Sequence, residues 1–184
     1  MKPSKNTFTH ALVIDLEATC CNRGSLNKDT IEIIEIGAFL VELKSFTTCF
    51  DFHQYVQPVK STTITSFCSR LTGIQQADVE NAPYFPQIVE ELTLKLQAYP
   101  QTVFANWSNF DWRQFQKDCQ YHQIEFPFQN GCWDLQKLFC KKQKHKQLYS
   151  VKGALEMVKL EFEGREHSAY YDACNTAKLL PYCL

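Results

Sequence analysis

Three segments of strand character crowd into residues 11–16, 31–43 and 46–56, and beyond Pro58 the apolar residues change to helical spacing. The first run is short and apolar enough for a buried strand, the second is dense in Ile and Val, and the third closes at Pro58. Strands that follow one another this closely favour antiparallel pairing, because a parallel pair needs a longer crossover. Helical spacing then predicts helices over 64–71, 77–81 and 85–99, the last ending before Pro100. A brief strand over 102–105, a helix over 111–122, a strand end at 132–134 and helices over 135–140, 151–160 and 169–180 follow. This order predicts an α/β fold, a mixed sheet of about five strands flanked by helices.

A chain of 184 residues without an internal repeat, low-complexity tract or Pro/Gly linker is expected to form one domain over 1–184, its core at about 10–182. The 14% of aromatic residues fits either heavy cores or stacking surfaces. A formal net charge of −1 argues against gripping nucleic acid over the whole surface, though acidic metal sites can mask a local basic patch. Nine cysteines form no CxxC pair, which argues against a zinc site, and their odd number cannot close completely into intramolecular disulfides. No signal-peptide pattern opens the chain, and no stretch approaches the roughly 20 apolar residues of a membrane span. The expected setting is cytoplasmic, with no membrane partner.

The chemistry-bearing residues sit at element junctions. Asp15 and Glu17 are two positions apart at the end of an apolar strand, so both carboxylates point to one face. Two hard oxygen ligands suit Mg²⁺ or Mn²⁺, although an isolated D-x-E also simply ends a strand at the surface. Asp111 falls at a helix start after the 102–105 strand, where the helix dipole alone also favours an acid. His167 precedes the last helix and Asp172 lies within it, so the histidine can lean over a site that the aspartate helps to build. Each residue alone has a structural explanation. Together, four acids and a histidine mark the ends where α/β sheets hold their sites.

These residues fall in three ordered motifs, Ile14-Asp15-Leu16-Glu17-Ala18-Thr19, Asn106-Trp107-Ser108-Asn109-Phe110-Asp111 and His167 through Asp172 continuing to Ala177. In this the chain resembles the DEDDh exonuclease family, named for four acidic metal ligands and a histidine. Ile33-Ile34-Glu35-Ile36-Gly37, Gln54 through Pro58 and Leu71-Thr72-Gly73-Ile74 are further family-like landmarks, and the resemblance covers about residues 12–180. The segments around Asp15 to Cys20, Phe67 to Ile74 and Gly164 to His167 look closest to the branch that trims RNA 3′ ends. The two departures, Phe110 before Asp111 and Tyr170-Tyr171 before Asp172, remove no ligand.

The resemblance implies a ribonuclease H-like fold and a 3′-to-5′ exonuclease that releases nucleoside 5′-monophosphates through two Mg²⁺ ions, with Mn²⁺ as a substitute. It implies Asp15 as the bridging ligand, Glu17 and Asp172 on the nucleophile-activating ion, Asp111 acting through water, and His167 as general base, a task suited to a side chain that titrates near neutral pH. By the same resemblance Ala18 and Thr19 touch the last sugar, Leu71 wedges the terminal base, and Phe67 and Phe110 stand where bases stack, unless they serve the core. The expected partner is a single-stranded or overhanging 3′ end, of RNA or alternatively of DNA, and the chain is expected to be a monomer or homodimer. A non-catalytic module that only holds 3′ ends is the remaining alternative. A lysine run at Lys137, Lys141, Lys142, Lys144 and Lys146 either steers a phosphate backbone or forms a solvated helix end. Arg165 adjoins the histidine but stays outside the catalytic set.

Overall fold

The computed structural model describes residues 8–22 and 30–184, so the first seven residues and 23–29, most of the polar stretch 21–30 between the first two strand segments of the sequence, lie outside the described part. One mixed sheet holds β1 (His10–Ala18), β2 (Ile33–Glu42), β3 (Thr48–Tyr55), β4 (Thr102–Asn106) and β5 (Cys132–Asp134), in the order β3-β2-β1-β4-β5. The first three strands pair antiparallel in sequence, whereas β4 joins β1 and β5 joins β4 in parallel. The helices are α1 (Ser66–Thr72), α2 (Gln76–Val79), α3 (Phe85–Leu96), α4 (Asn109–Tyr121), α5 (Leu135–Lys142), α6 (Val151–Met157), α7 (Ala169–Lys178) and α8 (Leu180–Cys183). The expected ribonuclease H-like arrangement, a five-stranded mixed sheet with flanking helices, is what the chain forms.

Strand alternation divides the core into two layers. Leu12, Ile14 and Leu16 of β1 pack with Ile88 and Leu92 of α3 and Phe115 of α4. Ala11 and Val13 face the other way, toward Phe139 of α5, Leu155 of α6 and Ala173 of α7. Each large apolar side chain so buried contributes about 1.5–3 kcal/mol. β2 is buried along nine of its ten residues, which explains its nearly unbroken apolar sequence and singles out Glu35 within it.

Helix limits differ from the periodic reading where a cap decides them. Thr65 accepts from the Cys68 N–H at 3.0 Å and starts α1 at Ser66, and Ser108 accepts from the Phe110 N–H at 3.3 Å and starts α4 at Asn109. α6 stops at Met157 rather than at 160, because Lys159 takes a φ of 60° that no α-helix continues through. The segment expected as one helix over 169–180 divides at Leu179 into α7 and α8, with Pro181 in the first turn of α8, where its missing N–H is not needed. No described helix is long and apolar enough to cross a membrane.

Candidate active site

Asp15 and Glu17 project from the carboxyl end of β1 on the face that carries Ala11 and Val13. In register across from them stand Gly37 and Glu35 of β2. A Cβ on Gly37 would lie 2.1 Å from the Ala169 carbonyl oxygen and 2.4 Å from the Tyr170 nitrogen, so the first turn of α7 rests directly on the β2 backbone. That approach, open only to glycine, brings in Asp172 from the same first turn. One carboxylate oxygen each from Asp15, Glu17 and Asp172 lies within 4.8 Å of the others.

Asp111, in the first turn of α4, lines the same cavity of about 350 Å³ but stands beside this three-oxygen group. Its Oδ1 accepts from the Leu16 N–H at 3.2 Å and its Oδ2 from Asn106 Nδ2 at 3.2 Å. Asn106 in turn accepts from the Cys132 thiol at 3.0 Å, so β1, β4 and β5 together fix this carboxylate.

Packing four acids at one sheet end makes their charged forms unfavourable. Burial, then Asp111, Asp172 and Glu17, raise the Asp15 carboxyl well above the ordinary carboxylate range. Burial and the facing Glu35 push Glu17 up to about 8, and burial lifts Asp111 to about 7. Asp172 rises to about 6, burial being partly offset by the backbone N–H and side chain of His167. A hard divalent cation fits this donor set: it matches the oxygen chemistry and relieves the repulsion.

His167 lines the cavity from a loop with tightly specified geometry, its φ at 61° and that of Gly164 at 77°. Histidine is among the residues that enter the left-handed region more readily, yet the conformation persists only where surroundings hold it. Asn175 of α7 accepts from the Glu163 N–H at 3.0 Å and donates to its carbonyl at 2.8 Å. Gly164 lies so close to the Tyr171 ring that a Cβ would stand 2.1 Å from it. Lys152 of α6 pairs with Glu166 at 2.5 Å on the cavity rim. At the far end of the loop, Glu35 Oε1 accepts from the Ser168 hydroxyl at 3.2 Å and lies 2.8 Å from His53 Nε2, while its Oε2 accepts from the Ala169 N–H at 3.0 Å.

Glu35 entered the sequence reading only as a landmark, although a lone acid within an apolar strand is itself the signal of a committed buried charge. Of the other residues singled out, Phe110 is half exposed and lines the cavity. Thr19 is occupied in closing the β1 end on β2, its hydroxyl accepting from the Glu32 N–H at 3.0 Å. Phe67 and Leu71 lie on α1, which is seated on the β1 end by the Cys68 thiol donating to the Ala18 carbonyl at 3.7 Å. No lysine of the 137–146 run lines the cavity: Lys137 pairs with Asp134, and Lys142 donates to the Leu184 carbonyl at 2.6 Å.

A family model described as "Exonuclease" matches residues 12–180. The chain is 32% identical over 200 residues to ERI1 exoribonuclease 2 of Mus musculus, covering 95% of this chain and 28% of that protein. It is 28% identical to the 3′-5′ exonuclease eri1 of Schizosaccharomyces pombe, covering 96% of this chain and 68% of that one. The chain thus spans under a third of the mouse relative's length. Among solved structures, the nuclease domain of 3′hExo, a DEDDh family member bound to rAMP, superimposes with a TM-score of 0.85 at 26% identity, over 96% of this chain and 92% of that one. A 3′-exonuclease studied for 3′-end-specific recognition of the histone mRNA stem-loop gives 0.83 at 25% identity, over 94% and 80%.

Proposed function

We propose, from the premise that this chain belongs to the DEDDh exonuclease family, that it removes nucleoside 5′-monophosphates from the 3′ end of RNA with Mg²⁺ as its cofactor, Mn²⁺ substituting. The observation that carries this reading is the convergence of oxygens from Asp15, Glu17 and Asp172 within 4.8 Å, in a cavity that Asp111 and His167 also line. Asp15, Glu17 and Asp172 would hold the ions, with Asp111 supporting their water shell. Two divalent ions bound there supply charge neutralisation at the phosphate and acidify water.

The remaining work falls to the chain itself. His167, which lines the same cavity as the carboxylates, takes the proton from the attacking water as its oxygen joins phosphorus. The bond to the 3′ oxygen of the preceding nucleotide breaks, and that oxygen takes up a proton from solvent, leaving a new 3′ hydroxyl. The exposed Phe110 ring offers a stacking surface at the cavity, worth about 1–3 kcal/mol per base. Phe67 and Leu71 on α1, beside Ala18 and Thr19, are assigned to the terminal nucleotide. RNA as substrate rests on the relatives named for RNA or a histone mRNA stem-loop.

A time course on 3′-labelled and 5′-labelled single strands of both sugars, with and without Mg²⁺ or Mn²⁺, tests polarity, metal need and sugar preference at once. Stepwise loss of 3′ nucleotides from RNA in the presence of metal is expected; preference for the deoxy strand would move the substrate to DNA. Asp15→Asn abolishes release, and His167→Ala lowers turnover by about 100- to 10,000-fold while metal-dependent binding of the 3′ end survives. Turnover unchanged in His167→Ala removes the general-base role.

A further inference from the structure

Arg165 takes no part in the chemistry above, yet it is where the loop of His167 meets α1. Its Nη2 donates to the carbonyl oxygens of Arg70 and Leu71 at 3.2 and 3.3 Å. These belong to the last turn of α1, whose carbonyls have no partner within the helix. The guanidinium also occupies the space over Gly73, where a Cβ would stand 1.5 Å from Nη1. Gly73 takes a φ of 82° as the left-handed cap of α1, donating to the Ser69 carbonyl at 2.9 Å. Glycine is therefore needed there twice, for the cap and for the guanidinium. One terminal nitrogen of the guanidinium reaches both carbonyls while the other lies over Gly73, a planar spread of the head group that a compact lysine ammonium does not reproduce.

The two bodies joined by this contact have different assignments. α1 carries Phe67 and Leu71 and is fixed to the β1 end by Cys68 to Ala18 and by the Thr65 hydroxyl donating to the Cys20 carbonyl at 2.7 Å. Two residues beyond Arg165, His167 sits in its left-handed conformation at the cavity. We infer that Arg165 is a positioning residue that couples the seating of a 3′ terminus against α1 to the placement of His167, an inference that rests on the exonuclease reading above. Arg165 needs no contact with the reacting atoms. It holds the helix that reads the end and the loop that carries the base in one fixed relation.

Turnover of 3′-labelled single-stranded RNA with Mg²⁺ is measured for the wild type, Arg165→Ala, Arg165→Lys, Leu71→Ala and the double variant Leu71→Ala/Arg165→Ala. Arg165→Ala lowers kcat about 10- to 100-fold with KM changed less than about twofold, and Arg165→Lys restores only part of the loss. Leu71→Ala lowers kcat and raises KM in the wild-type background but raises only KM once Arg165 is gone, since the coupling is already lost. A kcat within about twofold of wild type in Arg165→Ala, or kcat effects that multiply independently, overturns the inference. A second readout needs no turnover: the imidazole resonance of His167, identified by its loss in His167→Gln, moves in both Arg165 variants while those of the other four histidines stay. A stationary His167 signal, or displacement of all five, overturns the inference. If the wild type releases no mononucleotide, the exonuclease reading falls by itself, and the resonance alone decides whether Arg165 places His167.

Discussion

A carboxylate buried as deeply as Glu35, which is 1% exposed, survives in a sheet only when its oxygens are satisfied. It accepts from Ser168 and Ala169 and lies against His53, so one side chain ties β2 and β3 to the start of α7. Glu35→Ala leaves a buried N–H and a hydroxyl unpaired, and we expect it to destabilise the fold by about 3 kcal/mol, read from urea unfolding. The same change lowers kcat, because Asp172 and His167 flank the anchored turn; unaltered stability and turnover would refute the strut. Its partners lie 133 and 134 positions away in sequence, and no local pattern links an acid on an apolar strand to a helix start that distant. Asp15 and Glu17, by contrast, were legible because strand period alone puts them on one side.

At the scale of elements, the decisive contact is α7 lying on β2 at Gly37. Neither strand nor helix periodicity reports it, since both concern which face is apolar and not how close two backbones come. Gly37→Ala forces a methyl against the Ala169 carbonyl and displaces the first turn of α7. A cost of about 1–3 kcal/mol is expected in thermal or urea unfolding, with weaker metal binding because Asp172 moves away from Asp15 and Glu17. Equal metal affinity in Gly37→Ala and wild type would show that the approach does not set the site. Existence and type of the elements were readable from period and breakers, whereas their ends followed side-chain caps such as Thr65 and Ser108, which act one hydrogen bond at a time.

For the molecule as a whole, the gathered acids make stability depend on pH and on metal together. In the metal-free protein Glu17, Asp111 and Asp172 hold protons up to about 8, 7 and 6, above their ordinary values near 4. Between about pH 4 and 8 the folded state therefore binds more protons than the unfolded chain, and stability falls as pH rises through that window. Asp118, raised to about 6 by burial and lying outside the Asp15, Glu17 and Asp172 group, adds to the slope but not to the effect of added divalent ions. Divalent ions compete with these protons, so the increase in Tm caused by Mg²⁺ or Mn²⁺ should grow from pH 5 to about pH 8. An increment independent of pH, or one retained in Asp15→Asn, would contradict this binding site.

Sequence alone determined the order and type of the elements and the mixed sheet, and it marked four acids and a histidine as candidates, because these follow from local periodicity and from motifs short enough to be read along the chain. Tertiary structure decided how those residues meet: Asp172 beside Asp15 and Glu17, Asp111 held slightly apart, His167 fixed by a loop anchored on three sides. Such relations depend on backbone approach at glycines and on single hydrogen bonds between distant segments, neither of which has a period or a propensity that a sequence displays.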